Sequence, residues 1–116
     1  LAALLAPLAT ARRGKSGMSS LGIVAGATWP EEAEALRTSL VDAPFLIPGF
    51  GAQGAGAEKA TSGLNRGKHG WEGGLINSTR SLIFPKKAAA AGSFDEWRHA
   101  IAETIAENKT ILNSVF

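Results

Sequence analysis

Three short apolar runs, none with the polar alternation of a half-buried strand, constrain the fold of this chain most. They read LGIVAGAT, FLIPG and GLINS, and they predict strands near 21–27, 45–49 and 74–78. Runs of this kind are typical of strands buried on both faces, as in a parallel sheet. Helix-like segments separate them, such as TWPEEAEALRTSL at 28–40. The alternation therefore predicts an α/β fold whose parallel strands are joined by right-handed crossovers.

The spacing of the strands narrows the fold class further. Successive strands begin about 25 to 30 residues apart, which is typical of a (β/α)8 barrel. Three strands cannot close such a barrel, and the chain begins at Leu1 rather than at a methionine. We therefore interpret residues 1–116 as a single partial domain, the C-terminal portion of a (β/α)8 TIM barrel. It is expected to hold about three parallel strands with flanking helices and to begin inside a helix of a longer protein.

Composition and charge argue against several classes of function. A formal net charge of only +2 argues against a dedicated nucleic-acid binder. The chain has no cysteine, so it has no disulfide framework and no thiolate chemistry. His69 and His99 lie far apart in sequence and lack metal-ligand spacing, so we expect no metal site. The first apolar run is too short to span a bilayer, and its positive charges follow it, unlike those of a secretory signal.

The glycine-rich stretch GFGAQG, residues 49–54, follows the second predicted strand. Glycines let backbone N–H groups approach a ligand closely, and successive amides in such a turn form an anion-binding concavity. Gln53 is the only side chain there that both donates and accepts hydrogen bonds. Two interpretations stay open: the loop folds over a phosphorylated ligand that Gln53 reaches, or it is a glycine-rich turn with an exposed glutamine.

The stretch NSTR, residues 77–80, follows the third predicted strand. Small polar side chains at the strand end precede Arg80, whose planar guanidinium suits phosphate oxygens. The alternative is a helix cap followed by a solvated arginine. Both stretches follow the carboxyl ends of strands, and the loops after the last strands of a barrel often bind phosphate. Their joint occurrence favours a phosphate site.

The remaining sequence predicts local structure rather than chemistry. Capping boxes are predicted at Thr28 with Glu31 and at Ser93 with Glu96. Residues 66–73 are predicted to be a flexible connector. No nucleophile–base pair and no paired carboxylates for acid–base catalysis are evident. Five apolar residues of the last helix are predicted to face inward: Phe94, Trp97, Ile101, Ile105 and Leu112.

Three segments in order and spacing resemble a known family. GIVAGATWPEEAEALR, APFLIPGFGAQG and GLINSTRSLIF are similar to the C-terminal part of orotidine 5′-phosphate decarboxylase of the bacterial type 2 branch. The resemblance covers residues 16–84. Thr79 stands where the family usually has serine, and Ala25 where it commonly has valine. The segment at 64–74 is longer than usual.

The resemblance implies an activity and its partners. The enzyme would convert orotidine monophosphate to UMP and CO2, the last step of de novo pyrimidine synthesis, without a metal or organic cofactor. The full-length protein would be a cytoplasmic homodimer that binds this small nucleotide and neither nucleic acid nor membrane. The family's catalytic Asp/Lys array lies on earlier strands, which this chain does not contain, so the resemblance implies no catalytic residue in this chain. The chain alone is therefore expected not to decarboxylate its substrate.

The resemblance also implies seven substrate-binding residues. Gln53 would bridge the phosphate and the pyrimidine. Arg80 would bind the phosphate with help from the backbone N–H of Thr79, and Pro48 would border the pyrimidine pocket. The closing loop would be formed by Gly51, Ala52 and Gly54.

Two alternatives to this function remain. One is another phosphate-binding TIM-barrel enzyme, such as a ribulose-phosphate epimerase, although the ATWPEE and NSTR segments argue against it. The other is a non-catalytic remnant or partner-binding piece, because three strands with open edges and apolar faces favour a partner or aggregation.

Overall fold

The computed structural model describes residues 1–51 and 55–116. Within those ranges the chain forms six helices and five strands. In sequence order they are α1 (Ala2–Ala11), β1 (Ile23–Val24), α2 (Pro30–Ser39), β2 (Phe45–Pro48), α3 (Ala57–Thr61), β3 (Asn65–Gly67), β4 (Gly70–Glu72), β5 (Gly74–Asn77), α4 (Thr79–Ile83), α5 (Lys86–Ala89) and α6 (Phe94–Asn113).

A three-stranded parallel sheet, in the order β1-β2-β5, organises the fold. Phe45 of β2 lies beside Ile23 of β1 on one side and Gly74 of β5 on the other. At the other end of the pairing, Pro48 lies beside Asn77. Three parallel strands flanked by helices confirm the predicted α/β class, and the arrangement fits part of a (β/α)8 barrel.

The two faces of this sheet have different surroundings. Phe45 and Ile47 point to one face and are fully buried, together with Leu40 at the end of α2. On the opposite face, Val24, Leu46 and Leu75 form one row in register and are 69%, 41% and 74% exposed. The prediction that both faces are buried is therefore wrong for the part of the chain that the structure describes. In a closed barrel such a face points inward, where side chains fill the interior in layers.

Arg37, in the last turn of α2, is a buried structural cation that the sequence analysis did not identify. Its side chain is only 7% exposed, and its guanidinium carbon lies 3.7 Å from the centroid of the Phe45 ring. Burial lowers the pKa of this guanidinium. The guanidinium donates hydrogen bonds to five backbone carbonyls, those of Leu40, Val41, Ala43, Gly63 and Gly73.

Residues 66–73 form most of a β-hairpin, so the prediction of a flexible connector is wrong. Strands β3 and β4 pair antiparallel, with Arg66 beside Trp71. The indole Nε1 of Trp71 donates to the carbonyl of Leu112 in α6 at 3.1 Å. The ring of Trp71 also meets that of Phe116 edge-on, with centroids 5.3 Å apart. These contacts hold the hairpin against the end of α6.

The two predicted capping boxes have different outcomes. The Ser93 hydroxyl accepts a hydrogen bond from the Glu96 backbone N–H at 3.2 Å, which confirms the cap of α6. The box of Thr28 with Glu31 is wrong. Helix α2 begins at Pro30, and its N-cap residue is Trp29, with no side-chain cap. Proline is favoured at the first helical position, and here that moves the cap one residue past the threonine.

The apolar stripe predicted for α6 is only partly buried. Ile101 and Leu112 are half-buried, whereas Phe94, Trp97 and Ile105 are exposed. The rings of Phe94 and Trp97 stack on each other, with centroids 5.7 Å apart. The inward-facing prediction is therefore wrong for these three residues.

None of the helices in residues 1–51 and 55–116 combines the length and apolar character that crossing a membrane requires.

Candidate functional site

The carboxyl ends of β2 and β5 bring the two predicted loops to one place. Pro48 and Asn77 are register partners at the ends of these parallel strands. The residues that follow them, together with the strand ends, border a pocket of about 90 Å³ lined by 48–50 and 77–80. Pockets for drug-sized ligands are several times larger, on the order of 300 Å³ or more. The described walls therefore fit a small group rather than a whole nucleotide.

Three of the predicted binding residues line this one pocket: Pro48, Thr79 and Arg80. Gly51 follows directly, and a Cβ atom built on it would lie 3.5 Å from the Ser78 hydroxyl. The structure thus places four of the seven predicted residues at one edge of the sheet. Ala52, Gln53 and Gly54 lie outside the described residues, and their roles remain predictions.

The stem of the glycine-rich loop has a defined backbone. Gly49 and Gly51 have φ angles of 107° and 80°, in the left-handed region that favours glycine. Phe50 lies between them with its side chain buried in the core. Across the stem, Phe50 forms a parallel bridge with Ala55, and the Gly51 N–H donates to the Ala55 carbonyl at 3.2 Å. The two ends of the loop are therefore held together.

Ser78 stands at the N-cap position of α4, yet its hydroxyl does not cap the helix. The hydroxyl instead donates to the Phe50 carbonyl at 2.9 Å and lies 2.5 Å from the Ser81 hydroxyl. Sequence reasoning treated Ser78 only as a small polar residue or helix cap. A serine between a strand and a helix gives no signal of a partner 28 residues earlier, so this contact was missed.

The polar side of the pocket faces solvent. Asn77, Thr79 and Arg80 are all exposed, and the Thr79 hydroxyl donates to Asn77 Oδ1 at 3.0 Å. Within the described ranges, the Arg80 guanidinium has no hydrogen-bond or salt-bridge partner. A guanidinium of this kind can bind two oxygens of one phosphate. No carboxylate lines the pocket, so the described walls add no negative charge against an anion.

The described residues offer no evident metal centre. Across residues 1–51 and 55–116, no three His, Asp or Glu side chains lie close enough together to hold a metal ion. The polar groups that line the pocket are a guanidinium, an amide, hydroxyls and backbone groups.

Parallel strands, flanking helices and a polar pocket at the carboxyl edge of the sheet define the class: an α/β fold that fits part of a (β/α)8 barrel, with a candidate site at the edge where that fold places its sites. Comparison with curated proteins identifies particular relatives, which are orotidine 5′-phosphate decarboxylases. The enzyme of Clostridium perfringens (strain SM101) is 47% identical over 75 residues, which are 65% of this chain and 25% of the relative.

Two further relatives extend the similarity over more of the chain. The decarboxylase of Natronomonas pharaonis is 44% identical over 95 residues, covering 81% of this chain and 32% of the relative. That of Haloarcula marismortui is 40% identical over 102 residues, covering 84% of this chain and 35% of the relative. No family model matches. The resemblance predicted from the sequence is confirmed, and the chain spans about a quarter to a third of the length of these relatives.

Proposed function

We propose that this chain is the phosphate-binding part of an orotidine 5′-phosphate decarboxylase, from the C-terminal portion of its barrel. The whole enzyme converts orotidine monophosphate to UMP and CO2. The observation that carries the proposal is the shared pocket: Pro48 at the end of β2 and the Thr79–Arg80 pair after β5 line the same cavity. The similarity to enzymes named for this activity supports it.

The chemistry of the pocket suits a phosphoryl group. Arg80 supplies a planar cation, and the backbone N–H of Thr79 supplies a second donor. The pocket volume matches a group of a few atoms, while the pyrimidine would extend past Pro48. Gly51, Ala52, Gln53 and Gly54 form the closing loop in this proposal, with Gln53 between the phosphate and the base. A phosphate remote from the reacting carbon can still lower the barrier, because its binding energy can be expressed in the transition state.

The exposed row of Val24, Leu46 and Leu75 supports the barrel context. We propose that the rest of the barrel covers this face in the whole enzyme and carries the catalytic Asp/Lys array. On the same resemblance we propose that the whole enzyme is a cytoplasmic homodimer that needs no cofactor. The decarboxylation step itself uses no residue of this chain, and the chain alone supplies binding rather than catalysis.

Ligand binding to this chain tests the proposal. UMP and inorganic phosphate are titrated into the isotopically labelled protein, and amide shifts are followed by NMR. We expect the largest shifts at residues 49–51 and 78–80. Arg80→Ala removes a charge-assisted hydrogen bond worth about 1.5–3 kcal/mol, so the affinity for UMP should fall about 10- to 100-fold.

Arg12→Ala is the matched control, because Arg12 is an exposed arginine that directly follows α1 and does not line the pocket. It removes the same charge and should leave the affinity within about twofold, since it contributes only to long-range attraction that salt screens. Equal losses for the two variants, or no binding of either ligand by the wild-type chain, would contradict the phosphate site.

A further inference from the structure

We propose that Ser78 and Ser81 are positioning residues for the phosphate site. Their hydroxyl pair, here named the serine latch, fixes the stem of the glycine-rich loop beside the residues that carry the guanidinium. The inference rests on the proposed function and deepens it, because it names the contact that sets the distance between the two sides of the pocket.

The direction of the hydrogen bonds in the latch follows from the donors available. A serine hydroxyl has one hydrogen, and a carbonyl can only accept. Ser78 Oγ lies 2.9 Å from the Phe50 carbonyl, so its hydrogen points there. The 2.5 Å contact between the two hydroxyls then requires Ser81 to donate and Ser78 to accept. The chain of donors runs from Ser81 through Ser78 to the loop stem.

The latch lies against the backbone of the loop. Ser78 is buried, with 8% of its surface exposed. A Cβ atom on Gly51 would lie 3.2 Å from Ser81 Oγ and 3.5 Å from Ser78 Oγ, and φ at Gly51 is +80°. Only a residue without a side chain fits this contact without strain. Both hydroxyls therefore lie close to the backbone of Gly51, on the side where a side chain would stand.

The position of the latch couples the two sides of the pocket. Phe50, the acceptor, immediately precedes Gly51, and Ser78 immediately precedes Thr79 and Arg80. One hydrogen bond therefore joins the start of the closing loop to the start of the phosphate-binding turn. Without it the Phe50 carbonyl, which is buried, would lose its side-chain partner, and the stem would be free to shift away from Arg80.

Hydrogen exchange and ligand affinity together test the latch in this chain. The Gly51 N–H, bonded to Ala55, reports on the stem without any ligand. Ser78→Ala should speed its exchange by about tenfold and weaken UMP binding by about five- to tenfold, as expected for one lost hydrogen bond. Ser81→Ala should have smaller effects of the same sign on Gly51 exchange and on UMP affinity. Ser81→Thr, which keeps the hydroxyl, should return both to their wild-type values. Ser114→Ala, a serine at the far end of α6, is the control.

The outcomes separate positioning from general stability. Faster exchange at Gly51, with unchanged exchange in α2, supports the latch. Equal acceleration in both places, or a Gly51 rate equal to that of Ser114→Ala, overturns it. If Ser78→Ala does not fold, the Ser81 variants decide by the same criteria. A wild-type chain that binds neither UMP nor phosphate refutes the proposed function and the effect on affinity, whereas Gly51 exchange still decides whether the latch holds the stem.

Discussion

Replacing Arg37 with alanine should be among the most destabilising single changes in this chain. The guanidinium links the end of α2 to the starts of β2 and β5 through backbone carbonyls. The bonds to Ala43 and Gly73 measure 2.8 and 2.7 Å, and the bond from Nε to Gly63 measures 2.8 Å. No carboxylate is among its partners within the described residues, so carbonyl dipoles and the face of the Phe45 ring stabilise its charge.

The expected magnitude follows from what the substitution leaves unpaired. Three of the bonds, to Leu40, Ala43 and Gly63, are buried. The Leu40 carbonyl keeps a second donor, the Ala43 N–H, so the substitution removes the hydrogen-bond partner of two buried carbonyls, those of Ala43 and Gly63. A buried carbonyl without a partner costs about 1–3 kcal/mol, so two cost roughly 2–6 kcal/mol. Part of this is offset, because the desolvated guanidinium, whose lowered pKa records that cost, is removed as well. We expect a net loss of about 2–4 kcal/mol, against about 5–15 kcal/mol for a typical domain.

Urea unfolding followed by tryptophan fluorescence measures this loss. Arg37→Lys is the informative comparison, because lysine keeps the charge but cannot place donors on carbonyls in several directions. It should recover less than half of the lost stability. Arg12→Ala, on the exposed surface, should change the free energy of unfolding by less than about 0.5 kcal/mol. If Arg37→Ala lowers the free energy of unfolding as little as Arg12→Ala does, or if Arg37→Lys restores wild-type stability, the role assigned to the Arg37 guanidinium is wrong.

Two further predictions concern the helices. Ser93→Ala should cost about 1 kcal/mol of unfolding free energy and Thr28→Ala almost nothing, because only Ser93 caps a helix; thermal unfolding of both variants checks the pair, and equal losses would contradict the assignment. The hydrogen bond and charge attraction of Glu107 raise the pKa of Lys87. The stabilisation that the Lys87–Glu107 interaction contributes should therefore be complete at pH values below the ordinary lysine pKa. It should disappear as the pH rises through the raised pKa of Lys87. An NMR titration of the Lys87 side chain should show a lower midpoint in Glu107→Gln, and an unchanged midpoint would refute the pairing.

The strands were predictable because their signal is local. A continuous apolar run bounded by glycine, proline or small polar residues defines a short strand without reference to the rest of the chain. Phe45–Pro48 and Gly74–Asn77 both lie within the predicted ranges. The cap at Ser93 was predictable for the same reason, since the residues that make it are three positions apart.

The hairpin was missed because its sequence gives a weak signal. Three of its strand residues are asparagine or glycine, which are depleted in strands, and each strand has only three residues. What stabilises it is the contact of Trp71 with Leu112, 41 residues later. A pattern confined to residues 66–73 cannot reveal a partner at that distance.

Arg37 and the serine latch were missed for a related reason. An arginine near the C-terminal end of an amphipathic helix is ordinarily interpreted as a solvated cation that stabilises the helix by its interaction with the helix dipole. Its burial depends on where Gly63 and Gly73 fall in space. For the candidate site, the sequence predicted which loops would meet, because parallel strands place their carboxyl ends together. It did not predict the hydroxyl contact between them.

The row formed by Val24, Leu46 and Leu75 constrains the register of any strand added at either edge of the sheet. Hydrogen bonding to β1 or β5 determines which residue of the new strand lies beside each residue of the sheet, and residues paired in register have their side chains on the same face. A strand that pairs beside Leu75 must therefore present an apolar side chain at that level. A charged residue there would lie against Leu75 at the end of an aliphatic row, so the row restricts both which segment can pair at this edge and in which register it pairs.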